Sequence, residues 1–123
     1  MKLVDSNIII YSALPKYSYL REIFKEEKVF ISEITLLEVL GFSKITSEQE
    51  KYFSAVFSLM NKIPITSEVI SEAIGIRKSN NLTVGDSIIA SSAKIYNLVL
   101  LTNNVADFKG LKFLKIENPL KTK

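Results

Sequence analysis

An α/β/α sandwich around a mainly parallel central sheet is the fold the sequence predicts, and two observations carry it. Short runs rich in Val, Ile and Leu alternate with segments of helical periodicity, the pattern of βαβ units. The helical segments are also numerous enough to cover both faces of a sheet, which a parallel sheet requires. The chain has 123 residues, 47% apolar and 24% charged, enough material for one core and too little for two domains. A single domain is expected over 1–120, with 121–123 as a frayed end.

The elements follow in order. Lys2 to Val4 is a short apolar strand, and Asp5-Ser6-Asn7 after it is a turn or a helix start. Ser18 is placed to cap a helix with Leu20, Ile23 and Phe24 on one face. Val29-Phe30-Ile31 is β-rich and short, so a strand, after which Ser32 caps a helix to about Phe42. Thr46 and Gln49 have capping-box spacing and open a helix carrying Phe53, Val56, Phe57 and Met60. Ile63-Pro64-Ile65 reads as an edge strand or an extended link, because proline cannot donate to a ladder. Thr66 caps a helix with Ile70, Ala73, Ile74 and Arg77 in step, ended by Asn80-Asn81. Thr83 opens another to about Tyr96, Val99 to Leu101 is a strand, and Phe113 to Ile116 is the last.

Two absences narrow the chemistry. There is no cysteine, which excludes disulfides, thiol nucleophiles and iron–sulfur clusters. There is no histidine, which excludes Ser-His-Asp triads, imidazole bases and almost every zinc or copper site. Chemistry here rests on carboxylates, lysines, hydroxyls or a borrowed cofactor, and carboxylate sites favour hard cations such as Mg²⁺ or Mn²⁺. The net charge of +3 permits a polyanionic partner without demanding one. No apolar run approaches the roughly 20 residues that span a bilayer. Asp5 interrupts the apolar stretch of the opening MKLVDSNIIIYSAL, so a secretory leader is not expected and the cytoplasm is.

Ligands of open α/β sheets gather beyond the carboxyl ends of the strands, so acids there carry the functional reading. Asp5 directly follows the first strand, where it fits either a site or an Asx-turn. Glu38 shares a helical stripe with Ile34, Leu37 and Gly41, an inward place for a carboxylate unless it reaches solvent at the stripe's edge. Asp86 lies on a face with Ile89, Ala90 and Ala93, and equally completes a capping pattern with Thr83. Beyond Val99 to Leu101 comes a polar cluster, Thr102 to Asp107. Converging carboxylates repel and need a cation. One or two Mg²⁺ so held make a site for phosphodiester hydrolysis without histidine.

These pieces together resemble the PIN domain family, specifically its small VapC-type toxin ribonucleases. They are Val4 to Ile9, Ile31 to Glu38, Gly85 to Ala93, Leu100 to Phe108 and a closing Ile116 to Leu120, in order over essentially the whole chain. The resemblance implies a PIN-like α/β/α sandwich and a Mg²⁺-dependent endoribonuclease, with Mn²⁺ able to substitute. Asp5, Glu38 and Asp86 match the family's acidic metal-binding residues, and Asn7 and Thr102 its polar helpers. The position of a frequent fourth acid holds Asn104, an amide that ligates Mg²⁺ more weakly; Asp107, three residues on, is the alternative acid. The family's usual basic residue is replaced by Asn103. The resemblance further implies an RNA substrate, a homodimer and a small VapB-like antitoxin, whose apolar segment lies in a groove near the site. Tyr11, Tyr17 and Tyr19 are candidates for an interface or for ordinary packing. The alternative reading is a catalytically weak or inactive PIN-like module for RNA binding or assembly. Aspartyl-phosphate chemistry fits poorly, because such phosphatases want a second Asp where Asn7 stands.

Overall fold

The computed structural model describes residues 1–122, and Lys123 lies outside the described residues. Five strands form one sheet: β1 Lys2–Val4, β2 Val29–Ser32, β3 Asn61–Ile63, β4 Val99–Leu101 and β5 Ile116–Glu117. Their order is β3-β2-β1-β4-β5 and every pair is parallel, so the expected sandwich with a parallel sheet is the fold. The chain builds outward from β1 through β2 to β3, then returns to the other side of β1 as β4 and β5. The switch therefore falls between β1 and β4, and such a crevice is where an open parallel sheet holds a ligand. The register pairs Val4 with Leu101, which sets Asp5 and Thr102 side by side at its mouth.

Successive strand residues face opposite layers, as the two-residue period requires. Val4 and Leu101 enter one half of the core with Ile8, Ile9, Phe24, Phe53 and Phe57. Leu3 and Leu100 enter the other with Ile76, Ile89, Ala93 and Phe108. Helices α1 Ser6–Ser12, α2 Glu33–Leu40 and α3 Ser47–Leu59 follow in the first part of the chain. Helices α4 Ser67–Ser79, α5 Val84–Tyr96 and α6 Val105–Phe108 follow β3 and β4. The capping expectations at Ser32, Thr46, Thr66 and Thr83 hold: each side chain accepts a backbone N–H of its first turn. Thr46 and Gln49 complete the reciprocal box.

Several boundaries differ from expectation for identifiable reasons. The segment read as a Ser18-capped helix is a 3₁₀ stretch over Pro15–Lys25, opened by Pro15, with a kink at Tyr17. It still buries Leu20 and Phe24. The third strand ends at Ile63, ahead of Pro64, because proline has no N–H to extend the ladder. The last strand begins only at Ile116: Leu114 is drawn into a turn by its bond to the Leu111 carbonyl, and Phe113 lies 42% exposed. On α4 the buried face is Val69, Ala73 and Ile76, one position round from the expected stripe, leaving Ile70 and Ile74 exposed. Val69 and Ala73 pack with Ile88 of α5, and the Ser91 hydroxyl donates to the Val69 carbonyl at 2.7 Å. Tyr11, Tyr17 and Tyr19 are half-buried against the core, with Tyr11 and Tyr17 edge to face at 5.2 Å, so packing accounts for them. The backbone of Pro119–Thr122 forms a 3₁₀ turn.

Gly75 sits exposed inside α4, and a methyl group there would meet nothing within 4 Å. Gly75→Ala is expected to stabilise the fold by about 0.5–1 kcal/mol, the helix-interior cost of glycine. Urea unfolding checks this, and an unchanged or lower midpoint contradicts it.

Candidate active site

Asp5 is the fixed point of the site. It is only 3% exposed, and its own N–H donates to the Leu101 carbonyl at 2.9 Å, locking it to the end of β4. The Ser6 N–H donates to Oδ1 at 2.9 Å, and the Asn7 amide and Thr102 hydroxyl donate to Oδ2 at 2.9 and 2.8 Å. Three of the roughly four acceptor sites of a carboxylate are thereby used, and about one remains for a ligand. The bond from Ser6 makes Asp5 the N-cap of α1 as well, so the turn reading holds and leaves its other carboxylate oxygen facing Asn7 and Thr102. Thr102 is fully buried, and its hydroxyl also accepts from the Asn7 amide at 3.2 Å and the Asn104 N–H at 3.0 Å. Asn7 and Thr102 are thus the groups that orient Asp5.

Asp86 behaves the same way. Its N–H donates to the Thr83 hydroxyl at 3.1 Å in the first turn of α5, and its carboxylate faces the cleft. A place in the first turn and a carboxylate open to the cleft again coincide. Glu38 reaches the cleft for a different reason than its sequence stripe implies. The buried face of α2 is Thr35 and Val39, whereas Leu37 is 67% exposed and Glu38 is exposed as a whole residue. Its carboxyl is nonetheless partly shielded, because it lies against the first turn of α5. A Cβ added at Gly85 would fall on Glu38 Oε2. Asp107 stands exposed in the last short helix, α6, close enough for its charge to be felt at Asp5 and Asp86. Asn104, exposed at the start of α6, makes no side-chain cap there, and its backbone N–H is what ties it to the site.

The charges of Asp5, Glu38, Asp86 and Asp107 are near enough to act on one another. Burial pushes the Asp5 carboxyl above its ordinary value against the lowering pull of Thr102, Ser6 and Asn7, with Asp107 adding to the rise. Shielding raises Glu38, and the charges of Asp5 and Asp86 raise it further, against the Ser6 hydroxyl. Asp86 is raised by burial and then by Asp5 and Asp107, against Thr83. Among the described residues, ion pairs join Lys25 to Glu22 and Lys94 to Glu72, and none brings a cation to these acids. Mutual repulsion without a protein counter-charge, on a purely oxygen donor set, fits a hard divalent cation. As the side chains lie, no three acids among the described residues are close enough to share one ion. Asp5 is held by its three donors, whereas Glu38 and Asp107 are exposed. Sequence reasoning missed Gly85 and Ser6. A glycine in the first turn of a helix was the one available signal, marking close approach by another group.

These shifts give the pH dependence a definite sign. A carboxyl raised on folding binds more protons in the folded state, so its stabilising contribution is full below the unfolded value and is lost as pH rises through the folded one. In the metal-free protein, Asp86→Asn is expected to raise Tm over the parent by about 2–4 °C at pH 7, with the gap closing toward pH 4. Thermal unfolding with chelator at several pH values checks this. A gap that is flat, or widest at low pH, refutes it.

Carboxyls raised by burial and by one another's charge, at the switch point of a parallel sheet, suit a divalent cation acting on a phosphodiester. The comparisons agree and give the family: residues 2–114 match the PIN domain, and the chain belongs to the PIN domain family. It is similar to the "tRNA(fMet)-specific endonuclease VapC" of Salmonella typhimurium, 25% identical over 94% of this chain and 96% of the relative. It is likewise similar to "Ribonuclease VapC2" of Methanocaldococcus jannaschii, 26% identical over 91% and 89%. Among solved structures, a toxin-antitoxin complex from Klebsiella pneumoniae superposes with a TM-score of 0.79 at 26% identity, covering 97% of this chain and 98% of that one. No helix among the described residues is long and apolar enough to cross a membrane.

Proposed function

We propose that this protein is a Mg²⁺-dependent endoribonuclease, the toxin of a VapBC-type pair, with Mn²⁺ able to replace Mg²⁺. The observation that carries the reading is the mutual electrostatic influence of Asp5, Glu38, Asp86 and Asp107, each acid of the first three raised by burial and by its neighbours, with no protein cation to balance them among the described residues. Asp5, Glu38 and Asp86 would hold the cation, with Asp107 closing the set and Asn104 offering at most a weak carbonyl ligand. A bound divalent cation supplies charge neutralisation for the phosphate and acidity to water. Asn7 and Thr102 hold Asp5 in one orientation, so that its free lone pair is aimed before substrate arrives. The relatives named as ribonucleases and as a toxin-antitoxin complex support RNA as substrate and a small antitoxin as partner.

An apolar groove beside the site suits that partner. Ile10, Val39, Phe42, Ile45 and Phe53 line a cavity of about 270 Å³ with Glu38 and Gln49 on its walls, and Ile10 and Phe42 are more than half exposed. An antitoxin segment with apolar side chains, ending in a basic residue aimed at Glu38, fits this surface. A homodimer in the cytoplasm belongs to the same proposal. Asn104 in place of an acid favours a second reading, an RNA-binding module with little or no catalysis.

The test is cleavage of a panel of labelled RNAs by inhibitor-free protein with Mg²⁺ or Mn²⁺ and with chelator. Cleavage that needs the cation supports the nuclease. RNA binding that ignores chelator, with no cleavage by folded protein, supports the binding module instead.

A further inference from the structure

The motif that closes the chain, Ile116 to Leu120, supplies no acid, yet hydrogen bonds tie it to the acid that matters most. The Thr102 N–H donates to the Glu117 carbonyl at 3.0 Å, so β5 holds the residue that holds Asp5. Asn118, the next residue, uses both ends of its side chain. Its Oδ1 accepts the Leu120 N–H at 3.0 Å, and its Nδ2 donates to Asn103 Oδ1 at 3.0 Å. The Asn103 N–H in turn donates to Asn7 Oδ1 at 2.9 Å.

That last bond decides which way the Asn7 amide faces. With its oxygen held by Asn103, its Nδ2 is turned to Asp5 Oδ2 and to Thr102 Oγ1. A rotated amide would set its oxygen against the Asp5 carboxylate, acceptor against acceptor. The brace is itself anchored, since the Tyr19 hydroxyl donates to the Pro119 carbonyl at 3.1 Å and Leu120 packs on the core. A line of side-chain and backbone amides thus crosses the ends of β5, β4 and β1.

We infer that Asn118 is a positioning residue for the acid site: through Asn103 it fixes the orientation of Asn7, and so of the Asp5 carboxylate. This rests on the reading of the acids as a cation site. The competing explanation is that Asn118 only caps the turn at Leu120.

Two variants separate these roles. Asn118→Asp keeps the acceptor for Leu120 but loses the donor to Asn103, whereas Asn118→Ala loses both. Mn²⁺ affinity, read from the resonance of the free ion, is expected to fall about 10- to 100-fold in both variants, the usual cost of losing a group that orients a ligand. Cleavage should fall by a similar factor. In metal-free protein, hydrogen exchange at the Asn103 N–H should quicken in both. Asn103→Ala should reproduce the loss, and the double variant with Asn118→Ala should be no worse than either alone. If Asn118→Asp matches the parent in Mn²⁺ affinity and in Asn103 exchange, Asn118 is a turn cap and the inference is wrong. If the parent itself binds no Mn²⁺ and cleaves no RNA, the nuclease reading falls and takes this role with it.

Discussion

Asp5→Ala and Asp86→Ala are each expected to lower RNA cleavage by about a thousandfold or more while leaving the fold intact. The size follows from what the acids do: holding a cation against the developing charge contributes several kcal/mol, and each 1.36 kcal/mol is a factor of ten. The fold should survive because both residues are functional liabilities in the metal-free protein. Asp5 is buried with a raised carboxyl, and its removal relieves repulsion while it leaves the Ser6, Asn7 and Thr102 donors unpaired. Those two effects oppose each other. Asp5→Asn is the poorer variant, since in either orientation its NH₂ end would face a donor, the Ser6 N–H or the Asn7 amide. Circular dichroism establishes folding and a labelled RNA establishes rate. A folded Asp5→Ala protein that cleaves as fast as the parent ends the proposal.

Much of this site was legible because strand ends are legible. Asp5 and Thr102 each follow a three-residue apolar strand, and parallel pairing of those strands puts them together. Glu38 was legible only as a residue out of place. Its supposed stripe is not the buried face of α2, and what brings it to the cleft is the close approach of α5 at Gly85, a tertiary contact with no period in the sequence. The same limit explains α4. Its apolar residues cover a broad arc of the helix, wider than one buried stripe, and the packing of α5 selected Val69, Ala73 and Ile76 over Ile70 and Ile74. Asn103 and Asn118 read as loop residues because their bond joins two side chains across adjacent strands, and neither hydropathy nor spacing records such a bond. Asp5 and Asp86 show the converse: each suited a helix cap, each takes part in one, and each also belongs to the proposed site. A capping acid at the carboxyl edge of a parallel sheet satisfies a helix and keeps charge in the cleft at once, so the two explanations never competed.

The glycine beside Asp86 gives the second large effect. Gly85→Ala adds one methyl group, and that group would occupy the place of Glu38 Oε2. The obstructing atom is the far end of a flexible, exposed side chain, so the carboxylate moves and the backbone does not. Stability should hold or improve, since alanine is the better helix former by about 0.5–1 kcal/mol. Cleavage and Mn²⁺ affinity should both fall about 10- to 100-fold, because one ligand of the set is turned away from the others. Gly75→Ala makes the same exchange where the added methyl meets nothing, and it should leave cleavage unchanged. A double-mutant cycle makes the cause specific. Glu38→Asp shortens the side chain, so it should cost much less in the Gly85→Ala background than in the parent, a non-additivity expected only of groups in contact. If Gly85→Ala cleaves and binds Mn²⁺ like the parent, contact with α5 does not set the position of Glu38.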